Sequence, residues 1–159
     1  MTPEYSLYFH IPFCAHRCAY CDFNTYAGQE DSIPAYVEAL CNEIKAIGAG
    51  VERSDSAVET RLPVGTIFFG GGTPSLLTPA HYRDIFQNIH RYFEVSPTSE
   101  TSLEANPGTV SPGTLSELRE IGFGHDIIVF PESTDGMEPE PGEVSCVYRA
   151  LRARNQRRG

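Results

Sequence analysis

The strongest constraint on the fold is an alternation of strand and helix signals that occurs three times along the chain. Apolar and β-branched runs predict strands over residues 5–11, 64–69 and 100–105, and each run stops at proline, glycine or Asn-Pro-Gly. Helical spacing of apolar residues predicts helices that begin near residues 33, 79 and 112, and Gly48 and Gly122 are predicted to end the first and third of them. Such alternation implies parallel strands joined by right-handed crossovers.

The length supports one incomplete domain of this kind. A chain of 159 residues fits a single domain. We expect residues 1–130 to form it, with a possible fourth strand over 126–130. Residues 131–159 combine an acidic, proline-rich linker with an arginine-rich end, a composition that predicts disorder.

Charge and hydropathy exclude several function classes. The formal net charge is −9, with a pI near 4.9, which argues against a nucleic-acid partner. No apolar run approaches the roughly 20 residues that a transmembrane helix needs. The N-terminus lacks the basic and apolar regions of a secretory signal, so we expect a cytoplasmic protein without a transmembrane segment.

Three of the five cysteines are closely spaced. Cys14, Cys18 and Cys21 form a C-x3-C-x2-C pattern on the loop that leaves the first predicted strand. Iron–sulfur cubanes normally take one cysteine per iron, so three thiolates would leave one iron open to an external ligand. Zinc is the alternative, with His10 or His16 completing a Cys3His set. Of the other two, Cys41 is predicted to be core and Cys146 a free thiol.

A second feature falls at the ends of the next two predicted strands. Gly70-Gly71-Gly72-Thr73 follows the second strand, where its N–H groups could approach an anion, although a triple glycine is also typical of a tight turn. Glu104 lies at the end of the third strand. Since parallel strands end on the same rim, we expect these residues to share it with the cysteines.

Three stretches resemble the radical S-adenosylmethionine superfamily, and within it the branch that holds oxygen-independent coproporphyrinogen III oxidase and a related heme chaperone. The resemblance extends over about residues 5–123, and its three stretches read Tyr8-x-His10-Ile11-Pro12-Phe13-Cys14-x3-Cys18-x2-Cys21-Asp22-Phe23, Gly70-Gly71-Gly72-Thr73-Pro74-Ser75 and Glu104-Ala105-Asn106-Pro107. The resemblance implies a partial radical SAM (β/α) barrel.

The resemblance also implies cofactors and partners. It implies a 4Fe–4S cluster on Cys14, Cys18 and Cys21, with S-adenosylmethionine bound at the open iron. The residues that it places against S-adenosylmethionine are Tyr8, Tyr20, Gly71, Gly72, Thr73 and Glu104. Heme or a porphyrin, a heme-acceptor protein and an electron donor for the cluster follow from the family alone. It identifies no catalytic residue.

Phe23 separates the two relatives. The oxidase carries a further cysteine two places after the third one, and here that place is Phe23, as in the heme chaperone. A heme-chaperone-like protein is therefore the first interpretation. A coproporphyrinogen oxidase-like enzyme is the second, and a zinc-stabilised interaction module without radical chemistry is the third.

The resemblance stops short of a whole barrel. A full (β/α)8 barrel takes roughly 200 residues or more, and only three to four βα units are predicted here. We therefore expect a truncated or inactive fragment whose tail could come from a frameshift. Such a half-barrel would expose two sheet edges and an apolar inner face, which predicts poor solubility.

Overall fold

A four-stranded parallel sheet carries the described part of the protein. The computed structural model describes residues 4–17, 21–51, 61–123 and 126–129. Four strands form the main sheet in the spatial order β1-β4-β5-β6: β1 (Tyr5–Ile11), β4 (Leu62–Gly71), β5 (Phe93–Ala105) and β6 (Asp126–Val129). Two short strands, β2 (Phe13–Cys14) and β3 (Tyr26–Ala27), pair with each other outside it.

Helices connect the strands of the main sheet. They are α1 (Ile33–Val51), α2 (Pro79–Tyr92) and α3 (Pro112–Ile121), and short 3-10 turns lie at Glu30–Ser32, Pro74–Leu76 and Pro107–Thr109. All neighbouring strands of the main sheet are parallel. The predicted α/β fold of three to four βα units is thus confirmed. The tail, residues 131–159, lies outside the described residues.

Local sequence explains where the second and third helices begin. Thr78 caps α2, because its Oγ1 accepts the amide of His81 while its own amide donates to His81 Nδ1 at 3.2 Å. Ser111 caps α3 by accepting the amide of Thr114 at 3.1 Å. Gly122 follows α3 with φ of 138°, a conformation that favours glycine.

The predicted end of the first helix is wrong. Gly48 does not end α1, which continues to Val51. A Cβ added at Gly48 would lie 2.4 Å from Tyr92 Cβ, so this glycine allows the end of α2 to approach α1 closely. This glycine serves close packing between two helices. In the sequence it could not be distinguished from a glycine that ends a helix.

The third predicted strand also begins earlier than expected. β5 starts at Phe93, immediately after α2, and Phe93 pairs with Leu62. The register then shifts, since Val64 pairs with Val95 whereas Thr66 pairs with Glu100. The polar stretch around Pro97 hid this first half of the strand, because proline and serine are not strand signals.

One face of the sheet packs on the helices. Alternate residues Phe9, Ile11, Ile67, Phe69 and Leu103 are buried in one core with residues of α1, α2 and α3. At its centre, the ring of Phe69 lies 4.8 Å from that of Phe9 and contacts Tyr82, Phe86 and Phe123.

The opposite face, which we expected to be apolar, is mixed. It carries the stacked rings of Tyr8 and Phe68, with centroids 5.9 Å apart. Beside them lie polar side chains, and Thr66 Oγ1 donates to Ser6 Oγ at 2.8 Å. No helix of the described residues is long and apolar enough to cross a membrane.

Candidate functional site

The carboxyl ends of three neighbouring strands bring Gly71, Glu104 and the chain that leads into Cys14 to one edge of the sheet. β1 ends at Ile11, two residues before the short strand that contains Cys14, and Ile11 pairs with Gly71 at the end of β4. Glu104 is the penultimate residue of β5. The amide of Gly71 donates to Glu104 Oε2 at 3.1 Å, so the glycine segment (residues 70–73) and the carboxylate are in direct contact.

The N–H groups of the glycine segment have partners within the protein. Gly71 donates to Glu104, Gly72 donates to the Ile11 carbonyl at 2.8 Å, and Thr73 donates to the Phe13 carbonyl at 2.7 Å. These three amides therefore already have acceptors within the protein, and one of the acceptors is the Glu104 carboxylate. Carbonyl oxygens of this segment and the Thr73 hydroxyl can accept hydrogen bonds from a ligand's ammonium or hydroxyl group.

Two glycines in this segment are required by close approach of the backbone. A Cβ at Gly72 would lie 2.6 Å from the Phe13 carbonyl oxygen and 2.8 Å from that of Ile11. Gly71 has φ of 111°, and a Cβ there would lie 2.5 Å from His10 Nδ1. Only glycine lets β4 end directly against the chain that enters the cysteines.

The cysteine segment (residues 14–21) begins from a fixed base. Cys14 is buried on β2, and β2 pairs with β3, which follows the segment. The Tyr26 amide also donates to the Pro12 carbonyl at 2.7 Å. Cys21 is partly exposed, and both cysteines are free thiols. Cys18 and Tyr20 lie outside the described residues.

The chemistry of this segment fits a thiolate-bound metal group. Cys14 and Cys21 supply two sulfurs that are not in a disulfide, and among the residues with described positions no set of three metal-ligating side chains is assembled. Thr25, four residues after Cys21, has a buried hydroxyl without a hydrogen-bond partner among these residues. Both nitrogens of His10 are engaged by other groups, which argues against His10 as a zinc ligand. His16 is exposed.

Tyr8 is not a core residue. Its side chain is 56% exposed on the open face of the sheet, and its hydroxyl lies 3.1 Å from His10 Nδ1. Burial of the hydroxyl, with a smaller contribution from the Glu104 charge, raises the pKa of Tyr8. Tyr8 therefore stays a neutral phenol that can both donate and accept hydrogen bonds beside Glu104.

Glu104 lies in an environment that opposes ionisation. Burial raises the pKa of its carboxyl, and the hydrogen bond from the Gly71 amide and the electrostatic interaction with His10 counteract this only in part. A cationic ligand group next to this carboxylate would favour its ionised form.

Several residues of this edge were missed as site residues by the sequence reasoning. Buried Ser75 joins the loops after β4 and β5, because its Oγ accepts the Asn106 amide at 3.0 Å and it also hydrogen-bonds the Thr109 hydroxyl. His10 contacts Tyr8 and Asn24. Ser75, His10 and Asn106 lie in the stretches that carried the resemblance, which was the available signal.

Comparison with known proteins gives one family. A family model for the Radical SAM superfamily matches residues 8–157, past residue 123, where the resemblance read from the sequence ended. The heme chaperone HemW of Escherichia coli (strain K12) is 35% identical over 153 residues, covering 95% of this chain and 38% of that protein. The heme chaperone HemW of Synechocystis sp. is 37% identical over 122 residues, and the match covers 73% of this chain and 27% of that protein.

A solved structure is also similar. Coproporphyrinogen III oxidase (HemN) from Escherichia coli, described as a radical SAM enzyme, matches with a TM-score of 0.63 and 29% identity. The match covers 79% of this chain and 27% of that chain. The chain therefore spans well under half the length of the relatives to which it is similar.

Proposed function

The chain belongs to the radical SAM superfamily, and from this premise we propose that it holds a 4Fe–4S cluster and S-adenosylmethionine at the edge formed by β1, β4 and β5. Cys14, Cys18 and Cys21 would supply the cluster thiolates. When bound, the cluster and S-adenosylmethionine would together supply one-electron reductive chemistry.

The contact between Gly71 and Glu104 carries this proposal. It links the ends of β4 and β5 at 3.1 Å, beside the chain that leads into Cys14. Because the glycine amides have protein partners, the groups left for a ligand are acceptors. We assign Glu104 and the carbonyls of Gly71 and Gly72 to the ligand's ammonium or ribose hydroxyls. The Thr73 hydroxyl is assigned to the same ligand.

The two aromatic assignments rest on different support. Tyr8 presents its hydroxyl on the open face of the sheet beside Glu104, where it can hydrogen-bond a ligand. Tyr20 is proposed from the family resemblance and its place between Cys18 and Cys21.

The proposed biological activity is that of a heme chaperone. HemW relatives from several bacteria are named as heme chaperones, and the first of them is matched along 95% of this chain. Phe23, with 63% of its side chain exposed just after Cys21, takes the place where the oxidase has a fourth cysteine. We therefore propose heme as the cargo, with a heme-acceptor protein and an electron donor as partners.

An oxidase-like activity is the second candidate. The similarity to the structure of coproporphyrinogen III oxidase favours it, and Phe23 argues against it. The two candidates share the cluster and S-adenosylmethionine but differ in the tetrapyrrole, which is heme in one and coproporphyrinogen III in the other. Titration of the reconstituted protein with each tetrapyrrole, followed by absorbance, would separate them.

Anaerobic reconstitution with iron and sulfide tests the proposal. We expect cubane absorbance with four irons and four sulfides per chain, as the cluster formula requires. Cys14→Ala and Cys21→Ala should lose the absorbance. Cys41→Ala is the matched control, because Cys41 lies on α1 and burial raises the pKa of its thiol. Stoichiometric zinc without sulfide in the purified protein would contradict the proposal and favour the zinc-stabilised module.

A further inference from the structure

His10 contacts three parts of the proposed site: Tyr8 on β1, Asn24 after the cysteine segment and Gly71 in the glycine segment. Its Nε2 is 2.9 Å from the Asn24 carbonyl oxygen, and its Nδ1 is 3.1 Å from the Tyr8 hydroxyl. Its ring also packs on Gly71, since a Cβ added there would lie 2.5 Å from Nδ1. We propose that His10 is a positioning residue that fixes the exit of the cysteine segment to the end of the sheet.

The partners of His10 determine which nitrogen carries the proton. A carbonyl oxygen only accepts hydrogen bonds, so Nε2 must be the donor to Asn24. In the neutral ring Nδ1 then has a lone pair, which accepts a hydrogen bond from the Tyr8 hydroxyl. The same imidazole thereby orients Tyr8 on the open face while it holds the backbone at Asn24.

Among the described residues, this bond is the first anchor of the chain after Cys21. The described anchors of the cysteine-segment exit are the two-residue pairing of β2 with β3 and the Tyr26 amide on the Pro12 carbonyl. Asn24 lies three residues after Cys21 and is exposed. His10 itself is rigid, because it lies within β1 and its own carbonyl accepts the Tyr36 hydroxyl of α1. The bond therefore ties an exposed loop residue to a residue of the main sheet.

The consequence for the metal group rests on the proposed function. If the thiolates of this segment hold a cluster, the position of Cys21 depends on the point where the chain returns to the sheet. Loss of the bond to Asn24 would leave Cys14 in place on β2 and free Cys21 to move. The cluster would then lose iron more readily.

Two amide variants separate positioning from simple packing. His10→Gln can reach Asn24 with an N–H group near the place of Nε2, whereas the shorter amide of His10→Asn lies near the place of Nδ1 and cannot. Hydrogen exchange of the Tyr26 amide in the purified, cluster-free chain is the first measurement. We expect about fivefold faster exchange in His10→Asn, the factor for one lost hydrogen bond, and a change of less than about twofold in His10→Gln.

The second measurement is iron release to a chelator from reconstituted protein, which should be faster for His10→Asn than for His10→Gln. Equal exchange or equal iron release in the two variants would overturn the positioning role, as would exchange raised to the same extent throughout β1 and β4. If the wild-type chain takes up no cluster, the proposed function fails, and the exchange measurement still decides whether His10 fixes the loop.

Discussion

Substitution of Gly72 tests whether the end of β4 must lie against the chain that enters the cysteine segment. A Cβ at this position would lie 2.6 Å, 2.8 Å and 3.0 Å from atoms of Phe13, Ile11 and Pro12. All three are backbone atoms, so no rotamer change can relieve the overlap. Gly72→Ala must move the two chain segments apart or strain them.

The two outcomes have similar cost. Separation breaks the hydrogen bonds from the Gly72 amide to Ile11 and from the Thr73 amide to Phe13, together about 2 kcal/mol. Keeping both bonds forces backbone shifts that typically cost about 1–3 kcal/mol. Because separation and backbone strain cost about the same, we expect the free energy of unfolding to fall by about 2 kcal/mol in either case.

Urea unfolding of the cluster-free chain measures this loss. With a slope of about 2 kcal/mol per M, the midpoint should fall by about 1 M. Gly113→Ala is the control, because the atom nearest to its added Cβ is Ser111 Oγ at 3.7 Å and alanine favours the helix. The control should be at least as stable as wild type. A Gly72→Ala midpoint within error of wild type would refute the close-approach argument, and cluster loading should decrease together with the midpoint.

Two further variants test the carboxylate and the link between loops. Because the pKa of Glu104 is raised by burial, the stability that this group contributes is present below its unfolded pKa and lost as the pH rises through the folded pKa. The melting temperature of Glu104→Gln relative to wild type should therefore increase from about pH 4 to about pH 7, and a constant difference would contradict the assignment. Ser75→Ala removes the partner of the Asn106 amide and of the Thr109 hydroxyl, so its urea unfolding should show a loss of about 1–3 kcal/mol. The exposed Thr98→Ala should change stability by less than about 0.5 kcal/mol, and an equal effect of both would remove Ser75 as a link.

Local signals predicted the parts of the fold that local physics determines. Ser111, Pro112 and Gly122 bound α3 as expected, because capping and the left-handed turn depend on neighbouring residues. The end of α1 was predicted wrongly because Gly48 is needed for close packing against Tyr92, and Tyr92 is distant in sequence. The start of β5 was not predicted because the stretch around Pro97 carries no strand signal, and Phe93 pairs with Leu62, which is distant in sequence.

In the candidate site, too, some features could be predicted from the sequence and others depend on contacts between distant segments. Strand order and strand ends predicted that Glu104 and the glycine segment would share an edge, and their contact confirms it. The partners of the glycine amides could not be predicted, because they depend on how closely Ile11 and Phe13 approach β4. The contact of His10 with Asn24 was not predicted, because a single histidine in a sequence does not reveal that a carbonyl lies within reach.

The order of β1, β4 and β5 along the chain also determines when each part of the candidate site is synthesised. Cys14 leaves the ribosome before Gly71 and Glu104, which complete its surroundings. At about 5–20 residues per second, the intervening chain takes roughly 5–20 s to synthesise. During that interval the newly made thiols have no β4 backbone beside them and no carboxylate across the edge. If the proposed cluster forms, metal that arrives early would meet thiols without these neighbours, so this topology favours insertion after translation.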